Sequence, residues 1–152
     1  MLGFIKMPLE KSAGAIIFRK EKGKIYYLVL NYSAIGNVGK TYWGFPKGHI
    51  EKDEKEIDTI KREVAEETGI KNLNFIDDFK ETEKYFFRHE EKSIFKTVYY
   101  LLAETKTKEI KLSFEHLDFK WLPYEEAIDQ LTFKNAREIL KKANDFLQSQ
   151  ID

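Results

Sequence analysis

The sequence predicts an α/β protein, a mixed sheet packed between helices. Three observations lead there. Two apolar runs near the start, Ala13 to Arg19 and Ile25 to Tyr32, flank the turn signal Glu21-Lys22-Gly23-Lys24. One amphipathic helical stretch, Asp53 to Thr68, then interrupts the strands. More strand-like segments follow, and two helical patterns close the chain. Strands on both sides of a helix favour a sheet with helices against it over an all-helical bundle.

The elements follow in order. The first two runs make a hairpin. Ser33 to Lys40 is a glycine-containing loop, Tyr42 to Phe45 a short strand, and Pro46-Lys47-Gly48 a turn. In the helix from Asp53 to Thr68, Asp53 is the expected N-cap and Glu56 its capping-box partner. Gly69 is the expected stop, because glycine tolerates the left-handed conformation past a helix end. Ile57, Ile60, Val64 and Thr68 recur at helical spacing and mark the core face. Leu73 to Phe87 reads as strand with a break near Asp77-Asp78. Ser93 to Glu104, rich in Val, Tyr and Phe, is the strongest strand, and Phe119 to Leu122 a short one. Pro123 starts a helix to Gln130. Lys134 to Gln150 forms the last, with Ala136, Ile139, Leu140, Ala143 and Leu147 as its apolar stripe.

Composition bounds the function. The 152 residues suit one domain spanning 1–152, with 42% hydrophobic and 14% aromatic residues to build a core. A formal net charge of zero argues against broad nucleic-acid binding, which needs clustered positive charge. Without cysteine there is neither a disulfide nor a thiolate zinc site. No apolar run approaches a membrane span, and MLGFIKMPLEKS lacks the long apolar run and cleavage site of a signal peptide. The expectation is a cytoplasmic protein, a monomer or weak dimer with no stable nucleic-acid partner.

The most informative stretch is GHIEKDEKEIDTIKREVAEETGI, residues 48 to 70. It has the form G-x5-E-x7-R-E-U-x-E-E-x-G-U, with U apolar. By this chain's composition, a chance match has odds on the order of 10⁻⁷. Glu63, Glu66 and Glu67 stand at i, i+3 and i+4 and share one helix face. Like charges so close repel, and oxygen ligands of this kind suit Mg²⁺ or Mn²⁺. The guanidinium of Arg62 can orient a carboxylate bidentately, and Glu54 lies about two turns before it. Gly48 lets the backbone, and so its carbonyl, approach an ion closely. A solvated face on a Glu/Lys-rich helix is the ordinary reading of three glutamates alone; the complete pattern outweighs it.

With these residues the chain resembles the Nudix hydrolases, which cleave a diphosphate linked to a nucleoside or similar group using a divalent metal. The flanking segments resemble the asymmetrical diadenosine tetraphosphate hydrolases: KSAGAIIFRKEKGKIYYLVLNY at 11 to 32, YWGFPKGHIE at 42 to 51, FKTVYYLLAE at 95 to 104, IKLSFEHLDFKWLPYEEA at 110 to 127 and LTFKNAREILKKANDFL at 131 to 147. The resemblance implies the Nudix α/β/α sandwich. It implies Glu63, Glu66, Glu67 and Gly48 as metal ligands, with Arg62 orienting Glu63 and Glu54 supporting them. Within LSFEH, it implies Glu115 as an added ligand or general base. Lys47 and His49, in PKGH, become phosphate contacts, as does Lys96. Tyr85 and Phe133 become the two rings that sandwich an adenine. The implied reaction converts diadenosine tetraphosphate to ATP and AMP. An RNA 5′-pyrophosphohydrolase, a nucleoside triphosphate pyrophosphatase and a noncatalytic nucleotide-binding module remain the alternatives.

Overall fold

The computed structural model describes residues 8–33 and 39–150. Its elements are β1 (Leu9–Glu21), β2 (Lys24–Ser33), β3 (Thr41–Gly44), β4 (Lys47–His49), α1 (Glu56–Thr68), β5 (Asn74–His89), β6 (Lys92–Glu104), β7 (His116–Leu122), α2 (Tyr124–Gln130) and α3 (Lys134–Ser149). The expected loop between Ser33 and Lys40 lies outside the described residues over 34–38.

One mixed sheet runs β3-β2-β1-β6-β5, with β4 added on β1 and β7 on β2. Among the described residues only the β1–β6 pairing is parallel. β1 is buried continuously from Ser12 to Arg19 because both its faces are covered. Ile16 and Phe18 pack toward α2 and α3, together with Val98, Leu102, Leu140 and Leu147. Ala13, Ala15 and Ile17 pack toward α1, against Ile60, Val64 and Ile70. The expected sandwich is thus present, α1 on one face and α2–α3 on the other. Full burial of Ile60 and Val64 stabilises the α1 contact by about 1.5–3 kcal/mol each.

β1 and β2 pair only over Phe18–Glu21 and Lys24–Tyr27. Lys22 (φ 50°) and Gly23 (φ 79°) both take left-handed backbone, the geometry of a type I′ hairpin turn. Farther from the turn the two strands part. β1 takes β4 along that edge and β2 takes β3. The Phe45-Pro46 corner bridges the gap: Ala15 N–H donates to the Pro46 carbonyl (3.1 Å) and the Tyr32 hydroxyl to the Phe45 carbonyl (2.7 Å). This fork carries the candidate site.

Several local expectations are corrected. Residues 47 to 49 are not a turn but a strand, because the free edge of β1 takes their hydrogen bonds in the register Ser12↔His49, Ala13↔Gly48 and Gly14↔Lys47. The helix begins at Glu56, with Lys55 at the N-cap; Asp53 instead adopts φ 66° in the preceding turn. Asp58, not Glu56, reaches back to the cap, accepting the Lys55 N–H at 3.4 Å. Ile57 lies in the first turn and stays 40% exposed, whereas Thr59 is buried and hydrogen-bonded to Glu54. The break near Asp77-Asp78 is a bulge inside a continuous β5: the register jumps between Phe75 and Lys80, with Asp78 at φ 69°. Gly69 does end α1, at φ 79° with its N–H on the Ala65 carbonyl.

Candidate active site

Strand pleating divides the candidate residues between two faces. Gly48 turns toward α1. A Cβ there would overlap the carboxyl group of Glu63, so only glycine admits this contact. Its neighbours Lys47 and His49 turn to the opposite face, with their partners Gly14 and Ser12.

Arg62 organises the α1 side. Its Nε and Nη2 donate to the two carboxylate oxygens of Glu54, each at 3.0 Å. Its Nη1 donates to Glu63 Oε1 at 2.7 Å, and Nη2 also to the His49 carbonyl at 3.0 Å. Glu54 further accepts the Glu51 N–H and the Thr59 hydroxyl, both at 2.9 Å. Hydrogen bonding from Arg62, then from the Glu51 backbone, takes the Glu54 carboxyl down to about pKa 2. The expected link between Glu54 and Arg62 is therefore present, and it also locks the carbonyl of β4.

Glu63 and Glu67 differ from Glu54. Burial pushes the Glu63 carboxyl above the usual range, against the pull of Arg62. Glu67 is 6% exposed, and burial raises its carboxyl too; nearby Glu63 and Glu115 add repulsion while His116 opposes it. Among the described residues its buried Oε2 has no hydrogen-bond partner. Glu66 is exposed, 3.8 Å from Arg62 Nη1. Among the described residues no three acidic or histidine side chains converge into an ion cage as they stand. Still, the buried Glu67 with its orphaned oxygen, repelled by Glu63, and Glu63 itself against the glycine-cleared backbone of Gly48 fit a divalent cation.

On the other face Lys47 and Lys96 approach each other. Burial lowers the Lys47 pKa, with Lys96 adding repulsion and Glu83 opposing it; burial also lowers that of Lys96, against Glu10 and Glu83. Two half-buried ammonium groups suit a polyanion. The His49 side chain is exposed.

Phe133, 54% exposed, packs on Tyr42, ring centroids 5.4 Å apart. The Trp43 N–H donates to Thr132 Oγ1 (2.8 Å) and the Thr132 N–H to the Trp43 carbonyl (3.2 Å), which draws Phe133 to β3. Tyr85 pairs with Lys96 across β5–β6 and packs near Phe87, ring centroids 6.1 Å apart. Tyr42 stacks on Tyr32 at 4.9 Å and 8°, and His116 meets the Tyr32 ring edge-on at 4.5 Å. Glu115 is exposed beside His116, close enough for its charge to act on Glu67. Sequence reasoning missed Tyr32, Tyr42 and His116. The one available signal was adjacency, His116 to Glu115 and Tyr42 to the YWGFPKGH segment.

The NUDIX domain family model matches residues 8–143. A mouse protein, the asymmetrical bis(5′-nucleosyl)-tetraphosphatase, is 36% identical over 149 residues, covering 91% of this chain and 96% of its own. The crystal structure of a Caenorhabditis elegans Ap4A hydrolase binary complex superposes with a TM-score of 0.77 at 34% identity, over 92% of this chain and 98% of that one. An RNA pyrophosphohydrolase of Bartonella bacilliformis is 33% identical over only 89 residues, 57% of this chain and 49% of its own.

Proposed function

The chain belongs to the Nudix family, and we propose that within it this protein is a metal-dependent hydrolase of dinucleoside tetraphosphates, converting diadenosine tetraphosphate to ATP and AMP. The likeness to an asymmetrical tetraphosphatase over nearly the full length of both chains carries the choice of substrate. The similarity to an RNA pyrophosphohydrolase spans little more than half of this chain, which makes that reading the weaker one.

Glu63, Glu66, Glu67 and the Gly48 carbonyl would hold Mg²⁺, or Mn²⁺ in its place. When bound, the metal neutralises charge on the polyphosphate and on the transition state. The residues supply the rest. Arg62, anchored on Glu54, holds Glu63 against the backbone of β4. Lys47 and Lys96 bind non-bridging phosphate oxygens on the far side of that strand, and His49 lies at its exposed end. The exposed face of Phe133, backed by Tyr42, receives a base; stacking of this kind is worth about 1–3 kcal/mol. Tyr85 flanks the phosphate path beside Lys96. A carboxylate, Glu63 or Glu115, takes a proton from the attacking water. Water attacks the phosphorus bearing one adenosine, and ATP departs as the leaving group.

Side-by-side turnover of diadenosine tetraphosphate, 8-oxo-dGTP and 5′-triphosphorylated RNA with Mg²⁺ tests the proposal. The tetraphosphate should have the highest kcat/KM, and Glu67→Gln should abolish it in a folded protein. Preference for the RNA, or near-normal turnover in Glu67→Gln, overturns it.

A further inference from the structure

The turn ahead of β7 holds α1 at two points of the same residue. The Ser113 N–H donates to the Glu67 carbonyl (3.1 Å), and the His116 ring faces the Glu67 side chain, with Nε2 3.4 Å from Oε1. The His116 N–H closes the turn onto the Ser113 carbonyl at 3.1 Å. The Lys111 N–H on the Thr68 carbonyl (2.9 Å) adds a third tie one residue along.

The ring itself is fixed from three sides. Its side chain is only 1% exposed. Ser113 Oγ lies 2.9 Å from Nδ1, and the Tyr32 ring packs against it. The Glu67 carboxylate facing Nε2 favours the tautomer that carries its proton there, and in that tautomer the Ser113 hydroxyl donates to Nδ1. At 3.4 Å the Nε2–Oε1 contact is long, and among the described residues neither Nε2 nor Glu67 Oε2 has a hydrogen-bond partner. One Glu67 oxygen thus faces a fixed donor and the other is left free.

We propose that His116, oriented by Ser113, is a positioning residue for Glu67, holding Oε1 so that Oε2 is presented to a divalent cation. The inference rests on the metal role given to Glu67 above. Partners that orient a ligating carboxylate typically change metal affinity by about 10–100-fold when removed. The Ser113–His116 turn also carries Glu115 at its tip, so one device sets both acids.

The test is Mn²⁺ titration of the full chain without substrate, followed by the EPR signal of free Mn²⁺. His116→Phe keeps a ring against Tyr32 and removes the donor; its affinity should fall at least about tenfold. His116→Gln, whose amide nitrogen stands near the place of Nε2, should stay within about threefold of wild type. Ser113→Ala, which removes the hydrogen bond at Nδ1, should fall in between. Metal-free melting temperatures report folding. Wild-type affinity in His116→Phe, with Glu67→Gln weakened, overturns the His116 role alone. Should His116→Phe fail to fold, wild-type affinity in Ser113→Ala overturns it. Wild-type affinity in Glu67→Gln removes the metal role of Glu67, and with it this inference.

Discussion

Arg62 ties together more of the site than any other side chain, with ion pairs or hydrogen bonds to Glu54, Glu63 and the His49 carbonyl. Its pairing with Glu54 has a definite pH signature. The Glu54 carboxyl is lowered from about 4.5 to about 2, so the stability it contributes is fully present above pH 4.5 and is lost as pH falls through 2. Melting curves of wild type and Glu54→Gln should therefore differ by a constant amount above about pH 5 and converge in acid. A gap that widens in acid contradicts the assignment. Gly48 gives a second prediction at this scale. In Gly48→Ala the new Cβ must displace Glu63, and kcat should fall by about 100-fold or more while circular dichroism stays native. The Glu54–Arg62–Glu63 set was legible in the sequence because all three belong to one helix and its entry loop, where spacing dictates geometry. Glu67 was legible as an acid, but its orphaned oxygen and its histidine were not.

At the scale of elements, the helices and every strand but β4 were legible, their ends and contacts less so. Pro46 and Gly48 are turn formers, so Pro46-Lys47-Gly48 reads as a turn, yet Lys47–His49 is a strand. What makes it a strand is the open edge of β1, some 35 residues earlier, which local propensity cannot register. Asp53 is a good N-cap type, yet its left-handed backbone places it before the helix, and Lys55 takes the cap position. His116, Tyr32, Tyr42 and Phe133 meet only because β2 pairs with both β3 and β7 and Thr132 binds Trp43. The hairpin offers a clean stability test. Lys22 holds φ 50° in a turn that favours Asn-Gly, so Lys22→Asn should stabilise the fold by about 0.5–1 kcal/mol. A urea midpoint raised at constant m-value checks it; a lowered midpoint contradicts the type I′ reading.

On the scale of the whole molecule, the fork between β1 and β2 divides the labour of the site. Acids gather on the α1 face, lysines on the other, and β4 passes between them with Gly48 toward one and Lys47 toward the other. A polyphosphate bound with a cation calls on both: acids to hold the cation and lysines to meet the phosphate oxygens. Metal should consequently couple to folding: at 100 times its Kd, Mg²⁺ or Mn²⁺ should stabilise wild type by about 2.7 kcal/mol and Glu67→Gln by much less. Equal shifts in melting temperature for the two proteins contradict the proposed ligand set.

Product analysis in ¹⁸O-labelled water tests asymmetric cleavage of a dinucleoside tetraphosphate most directly. Diadenosine tetraphosphate with Mg²⁺ should yield equal amounts of ATP and AMP, with the label in AMP, where water has attacked the phosphorus bearing adenosine. Two molecules of ADP, label in ATP, or no metal-dependent turnover would contradict it.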